Sequence, residues 1–268
     1  NFNSNTVYTI MVYTLAIVAA LLWLYPLVYV VSASFSDPNA LLNGEVVLLP
    51  KGFNLNAYKY IFQNKQILVG YGNTIFYSVV GTLYNMVLTI CAAYPLSRSD
   101  LKGRNLLTVM ITFTMFFGGG MIPTYLNLNS LHMLNTRWVM FVPAAISATN
   151  FIIMRNYFTH SVPGELIESA HIEGASQLQI LSKIVLPLSK PILGVLTIYY
   201  MAGHWNAYFS AIIYLSDEKL MPLQVFLRRI LIMGGMEGMS TGSTMTDSLI
   251  HESLKYGIIV VSTLPMLL

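Results

Sequence analysis

The chain has 268 residues, of which 55% are hydrophobic and 9% charged, with a mean hydropathy of +0.63. A soluble domain of this size carries roughly a quarter charged residues, so the composition excludes one and predicts a polytopic membrane protein. The net charge of +3 comes from 14 scattered Lys and Arg residues, which leaves no electrostatic footprint for nucleic acid.

A bilayer core takes about 20 mostly apolar residues per helix, and on that ruler the chain divides into six candidate spans. The first run, 7–31, is too long and too aromatic for a signal peptide and has no small-residue cleavage site after it, so it reads as a retained span. The next are 73–96 and 106–122, the latter broken by Gly118-Gly119-Gly120 and Met121-Ile122-Pro123, which reads as a helix end followed by a surface loop. The fourth and fifth are 138–154 and 192–215. The sixth, 256–268, is too short to cross, and the chain opens on Asn1 with no basic flank, so further residues are expected at both ends. The expected fold class is all-α, one polytopic membrane domain over 1–268 with six transmembrane helices.

Orientation follows from Lys and Arg, which favour short cytoplasmic loops. Arg98, Lys102 and Arg104 fall between spans two and three, and Arg155, Lys183 and Lys190 between spans four and five, so both loops are expected inside. The longer segments 32–72 and 216–253 are then outside, where Lys51, Lys59, Lys65, Arg228 and Arg229 are spread more thinly. Cys91 is the single cysteine and lies in an apolar run, which excludes an intrachain disulfide and a cysteine-rich metal site. The five histidines are dispersed without ligand spacing, so no metal is expected.

The inner loop at about 160–190 is polar where its surroundings are apolar. Pro163 and Gly164 end one helix and open another, with Ser161 available as a cap and Glu165 and Glu168 in a first turn that suits negative charge. Ile167, Ala170, Gly174 and Leu178 recur at helical spacing on one face, with Ala175 beside them. A glycine inside a helix costs about 1 kcal/mol relative to alanine, so Gly174 predicts a partner backbone approaching closely. The alternative is an amphipathic helix on the membrane surface, but those carry Lys and Arg on the polar face, whereas this one carries Glu165, Glu168 and Glu173.

Glu168-Ser169-Ala170, Gly174 and Ile184-Val185-Leu186-Pro187 resemble the EAA loop of ABC importer permeases, departing from its usual form at Ser169 and Glu173. The resemblance extends through Ala93-Tyr94-Pro95-Leu96-Ser97-Arg98, Ile122-Pro123-Thr124-Tyr125, Ile153-Met154-Arg155 and His204-Trp205-Asn206 to nearly the whole chain. It is similar to carbohydrate importer permeases of the maltose-type (type I) class, in the branch serving oligosaccharides and uronates, and in particular to the second permease of bacterial alginate importers. The resemblance implies a multi-pass protein of the bacterial inner membrane, set in lipid, that pairs with a second homologous permease, two ATPase subunits and an extracytoplasmic sugar-binding protein. It implies ATPase docking through Glu165, Glu168, Ala170, Gly174, Ala175, Leu186 and Pro187. The chain has no G-x-x-x-x-G-K-[ST] loop, so it is expected not to be an enzyme and to hold no cofactor, with ATP and Mg on the partner subunits.

Sugar sites set aromatic faces and amide or hydroxyl groups in a concave pocket. Span five supplies Tyr199, His204, Trp205 and Asn206 as candidates for the substrate path, with an interfacial belt or a helix-to-helix tie as the competing account. The Gly-rich segment with Gly234, Gly235, Gly238 and Gly242 resembles the loop by which maltose-type permeases reach the binding protein, though its composition equally suits a linker. Two other classes stand beside the permease reading: an ion-coupled secondary transporter and a non-transporting membrane assembly subunit. The first five runs hold no Asp or Glu, which argues against ion coupling.

Overall fold

The computed structural model describes residues 4–237 and 245–267, with side chains for 7–232 and 253–267. The described residues form helices and no strand, in the order α1 (Ser4–Ser34), α2 (Pro38–Leu42), α3 (Asn56–Gln63), α4 (Lys65–Ser97), α5 (Arg104–Phe116), α6 (Met121–Ser130), α7 (Ala148–Ser161), α8 (Gly164–Ile172), α9 (Gln177–Ile180), α10 (Leu186–Leu188), α11 (Lys190–Trp205), α12 (Phe209–Tyr214), α13 (Leu223–Glu237) and α14 (Met245–Leu267). The protein is thus an all-α membrane protein.

Two helices, α1 and α4, are long and apolar enough to cross a bilayer, and two bent pairs bring the number to four if each is one span. The expected count of six is not reached on this measure. The Gly118–Gly120 break is not a plain helix end: α5 gives way to a second helix, α6, at an angle of 114°, with Gly120 at φ +85° making the turn. The run 138–154 is not one helix either. A 3₁₀ turn at Arg137–Met140 is followed by irregular chain, and Ser147 caps the start of α7 by accepting from the Asn150 N–H. Pro143 has no N–H to continue a helix, so an apolar run breaks there despite its hydropathy. The fifth run stops at Trp205 and restarts as the short α12, and α14 begins at Met245, ahead of the expected position 256.

The chain separates into two compact units, 1–69 with 223–268 and 70–222. In the first, α1 runs along α14, with Tyr29 and Tyr256 edge to face at 5.9 Å. Gly257 lets α3 lie close, since a Cβ there would sit 3.2 Å from both Ala57 Cβ and Ile61 Cδ1. The rest of α1 leaves its apolar side chains open, Trp23 at 81% exposure, a surface suited to lipid or to another apolar helix.

In the second unit, α4 is the spine. Irregular backbone packed against a helix needs partners for its polar groups, and asparagines on α4 provide them. Asn73 Nδ2 donates to the Lys219 and Met221 carbonyls at 2.7 and 3.1 Å, and Asn85 Nδ2 to those of Ala144 and Ala145 at 2.7 Å each. Tyr77 adds a bond to the Leu220 carbonyl at 2.7 Å. The apolar core of this unit centres on Phe151, Met154, Ile180, Leu196 and Val185, and it carries α8 on its edge.

Candidate functional site

The polar loop folds into a helix-turn-helix strut. Helix α7 runs through Ser161, so that serine closes the preceding helix and does not cap the next; Pro163 occupies the cap position, without a side-chain bond. Only Glu165 falls in the first turn of α8, with Glu168 one turn further on. Ile167 and Ala170 face inward, packed with Phe158, Val162, Ile180 and Val185. Ala170 is 8% exposed, so its methyl group belongs to the chain's own core. The opposite face carries Glu165, Leu166, Glu168 and Ile172, all exposed, with Ile172 at 88%. That isoleucine is the residue the sequence did not single out, although an apolar side chain between charged ones in a polar loop is the available signal.

Gly174 is not inside a helix. It lies at φ +81°, the Gly174 N–H bonds to the His171 carbonyl at 3.0 Å, and the Ala175 N–H bonds to the Ala170 carbonyl at 2.9 Å. This paired 5→2 and 6→1 arrangement ends α8 with a left-handed residue, where glycine carries no Cβ penalty. The helix ends here, so the glycine answers a conformational requirement of this chain's own backbone, independent of any partner; within the chain a Cβ at Gly174 would meet nothing within 4 Å. Because the chain turns here, Leu178 does not continue the Ile167 face; it stands 76% exposed on the next helix. Ala175 is half-buried, against the core.

Ser176 restarts the helix with a reciprocal cap: its Oγ accepts from the Gln179 N–H at 3.4 Å and its N–H donates to Gln179 Oε1 at 2.8 Å. Tyr94 on α4 donates to Gln177 Oε1 at 2.9 Å, and Arg155 Nε on α7 donates to the Leu96 carbonyl at 2.9 Å. The first bond ties the strut to the spine, and the second ties α7 to it. From α9 the chain passes through a widened π turn, Leu181–Val185, into α10. Pro187 cannot donate to the ladder behind it. Leu186 is half-buried, Pro187 is exposed, and the 83° bend into α11 falls just beyond them at Ser189. The strut is therefore continuous with α11, and a push on its exposed face has a covalent route into that helix.

The span-five candidates divide by burial. His204 is buried, its Nε2 lying 2.7 Å from Asn85 Oδ1. Since Asn85 Nδ2 is committed to two carbonyls, its Oδ1 is the acceptor and His204 Nε2 carries the proton. A Cβ at Gly81 would come 2.7 Å from the same ring, so α4 and α11 meet closely there. Trp205, 6% exposed, lies edge to face with Tyr71 at 6.0 Å. These two residues tie helices together within the chain. Tyr199 and Asn206 are exposed, and Asn206 ends α11 with its Nδ2 donating to the Ala202 carbonyl at 2.9 Å. Gly234 and Gly235 lie within helix α13, not in an extended tip, while Gly238 and Gly242 fall outside the described residues. Among the described residues no cluster of His, Cys, Asp or Glu is placed to hold a metal ion.

No protein-family model matches the chain. It is similar to the polygalacturonan/rhamnogalacturonan transport system permease protein YtcP of Bacillus subtilis, at 39% identity over 98% of this chain and 92% of the relative. Protein LplC of the same organism is 40% identical over 90% of this chain and 82% of its own. A chain from the crystal structure of a bacterial ABC transporter involved in the import of the acidic polysaccharide alginate superposes with a TM-score of 0.89 at 34% identity, covering 99% of this chain and 94% of that one. Neither an ion-coupled transporter nor a passive assembly subunit accords with these relatives. The chain belongs to the carbohydrate permease subunits of ABC importers, a transport component and not itself an enzyme.

Proposed function

We propose that this permease carries acidic, uronate-containing oligosaccharides across a bacterial inner membrane, driven by ATPase subunits docked on the exposed face of α8. The observation that carries the docking reading is the geometry of α8. Its inner face is locked into the core through Ile167 and Ala170, while Glu165, Leu166, Glu168 and Ile172 stand free on the other. An apolar anchor flanked by carboxylates suits a groove with an apolar floor and basic rim. Motion of the docked ATPases would pass through the capped turn at Gly174 and the π turn into α11. In this reading the cytoplasmic side is the α8 side, the complex holds a second permease and two ATPases, and a binding protein delivers the sugar from outside. ATP and Mg belong to the ATPases, and this chain holds no cofactor.

The acidic class is supported by two relatives of different kind, one named for polygalacturonan and rhamnogalacturonan and the other described as importing the acidic polysaccharide alginate. Tyr199 and Asn206 are the members of the span-five set with open surface for a sugar. The test is ATP-dependent uptake of labelled oligogalacturonate into vesicles holding the intact complex, in competition with unlabelled acidic and neutral oligosaccharides. Competition by acidic oligomers alone is expected; equal competition by neutral ones would overturn the substrate class.

A further inference from the structure

Two cavities adjoin at the junction of α4, α5 and the strut, sharing Tyr94 and Arg98 as a common wall. The first, about 260 Å³, is polar: Arg98 and Arg104 reach it together with the hydroxyl residues Ser97, Ser99 and Thr159. The second, about 430 Å³, is mainly apolar, lined by Cys91, Pro95, Leu101 and Leu178, with Lys102 and Asp100 at its edge. Asp100 Oδ1 is 3.5 Å from Arg98 Nε, and that nitrogen, though buried, lacks a hydrogen bond. Lys102 and Arg104 have no side-chain ion pair or hydrogen bond among the described residues. Three cations against one carboxylate leave the junction positively charged. The uncapped start of α8 at Gly164 also borders the polar chamber, which adds to its preference for an anion.

A polar, cationic chamber joined to an apolar one fits an amphipathic anion. We propose that the pair holds one anionic phospholipid of the cytoplasmic leaflet, its phosphate against Arg98 and Arg104 and part of an acyl chain along Cys91, Pro95 and Leu101. The leaflet rests on the docking reading above; the chemistry of the ligand does not. Basic pockets beside transmembrane helices on that side are suited to such headgroups. The lipid would brace α4 against the strut beside the Tyr94–Gln177 bond, so that coupling depends on it.

The test uses the intact importer complex in zwitterionic detergent, titrated with phosphatidylglycerol, phosphatidylcholine or inorganic phosphate and read by native mass spectrometry as adducts per complex. One phosphatidylglycerol is expected to bind ahead of phosphatidylcholine and to resist millimolar phosphate. Lys102→Gln with Arg104→Gln, which breaks no internal bond, should weaken it roughly tenfold or more. Cys91→Trp, which fills the apolar chamber, should weaken it as well. Equal binding of the two lipids, unchanged binding in both variants, or a phosphate adduct that displaces the lipid would each overturn the proposal. Loss of the ATPases from the complex counts against the docking reading alone, because the lipid titration is still readable on the permease pair.

Discussion

Substitutions at Gly174 separate the two reasons a glycine can be required there. At φ +81° an ordinary L-residue costs about 1–2 kcal/mol. Replacing glycine by alanine recovers about 0.4–1 kcal/mol by restricting the unfolded chain, so Gly174→Ala should lose roughly 1 kcal/mol, with no steric addition from within this chain, where nothing lies within 4 Å of the new Cβ. Asparagine tolerates the left-handed region better, so Gly174→Asn should keep more of the wild-type stability although it is larger. The assay is thermal unfolding of the purified complex, paired with sugar transported per ATP hydrolysed. Both quantities should fall in the order wild type, Asn, Ala. If Asn is worse than Ala in both, size at a close contact governs the position and the helix-ending account is wrong.

Ile172→Glu places charge on the exposed anchor of α8 and should leave the permease folded while reducing sugar-stimulated ATPase activity at least tenfold; unchanged activity would remove Ile172 from the docking surface. Asn85→Leu strands the buried His204 Nε2–H, at about 1–3 kcal/mol for an unsatisfied group, and removes the bonds to the part-buried Ala144 and Ala145 carbonyls, and should lower the unfolding temperature and yield. Tyr94→Phe removes the bond to Gln177 Oε1 and should cost about 0.5–1.5 kcal/mol, seen as faster amide exchange at 176–180 with the rest of the chain unaltered.

Much of this architecture can be read from residue order, and the exceptions share a cause. Composition and the apolar runs of α1 and α4 are enough to place the chain in a membrane, and the Glu168, Gly174 and Leu186-Pro187 spacing is enough to find the strut. The run 138–154 misleads because hydropathy cannot separate a continuous helix from irregular backbone that Asn85 satisfies from 59 and 60 positions away; Pro143 and Ser147 were the local signals. At Gly174 the three- and four-residue spacing to Leu178 imitates one long helix, while the cap Ser176-x-x-Gln179 marks a fresh start. The ties that His204 and Trp205 make are not legible locally, because their neighbours, Gly81, Asn85 and Tyr71, lie more than a hundred positions earlier.

The central claim is that α8 carries the contact with the ATPases. Ile172→Cys, in a Cys91→Ala background so that the new thiol is the single one, can be treated with a short bifunctional thiol–amine reagent in native membranes and the products identified by mass. The account predicts a product joining this chain to an ATPase subunit, in a yield that changes with nucleotide state. Products that join it only to another permease or to lipid, with the ATPases present, would contradict it.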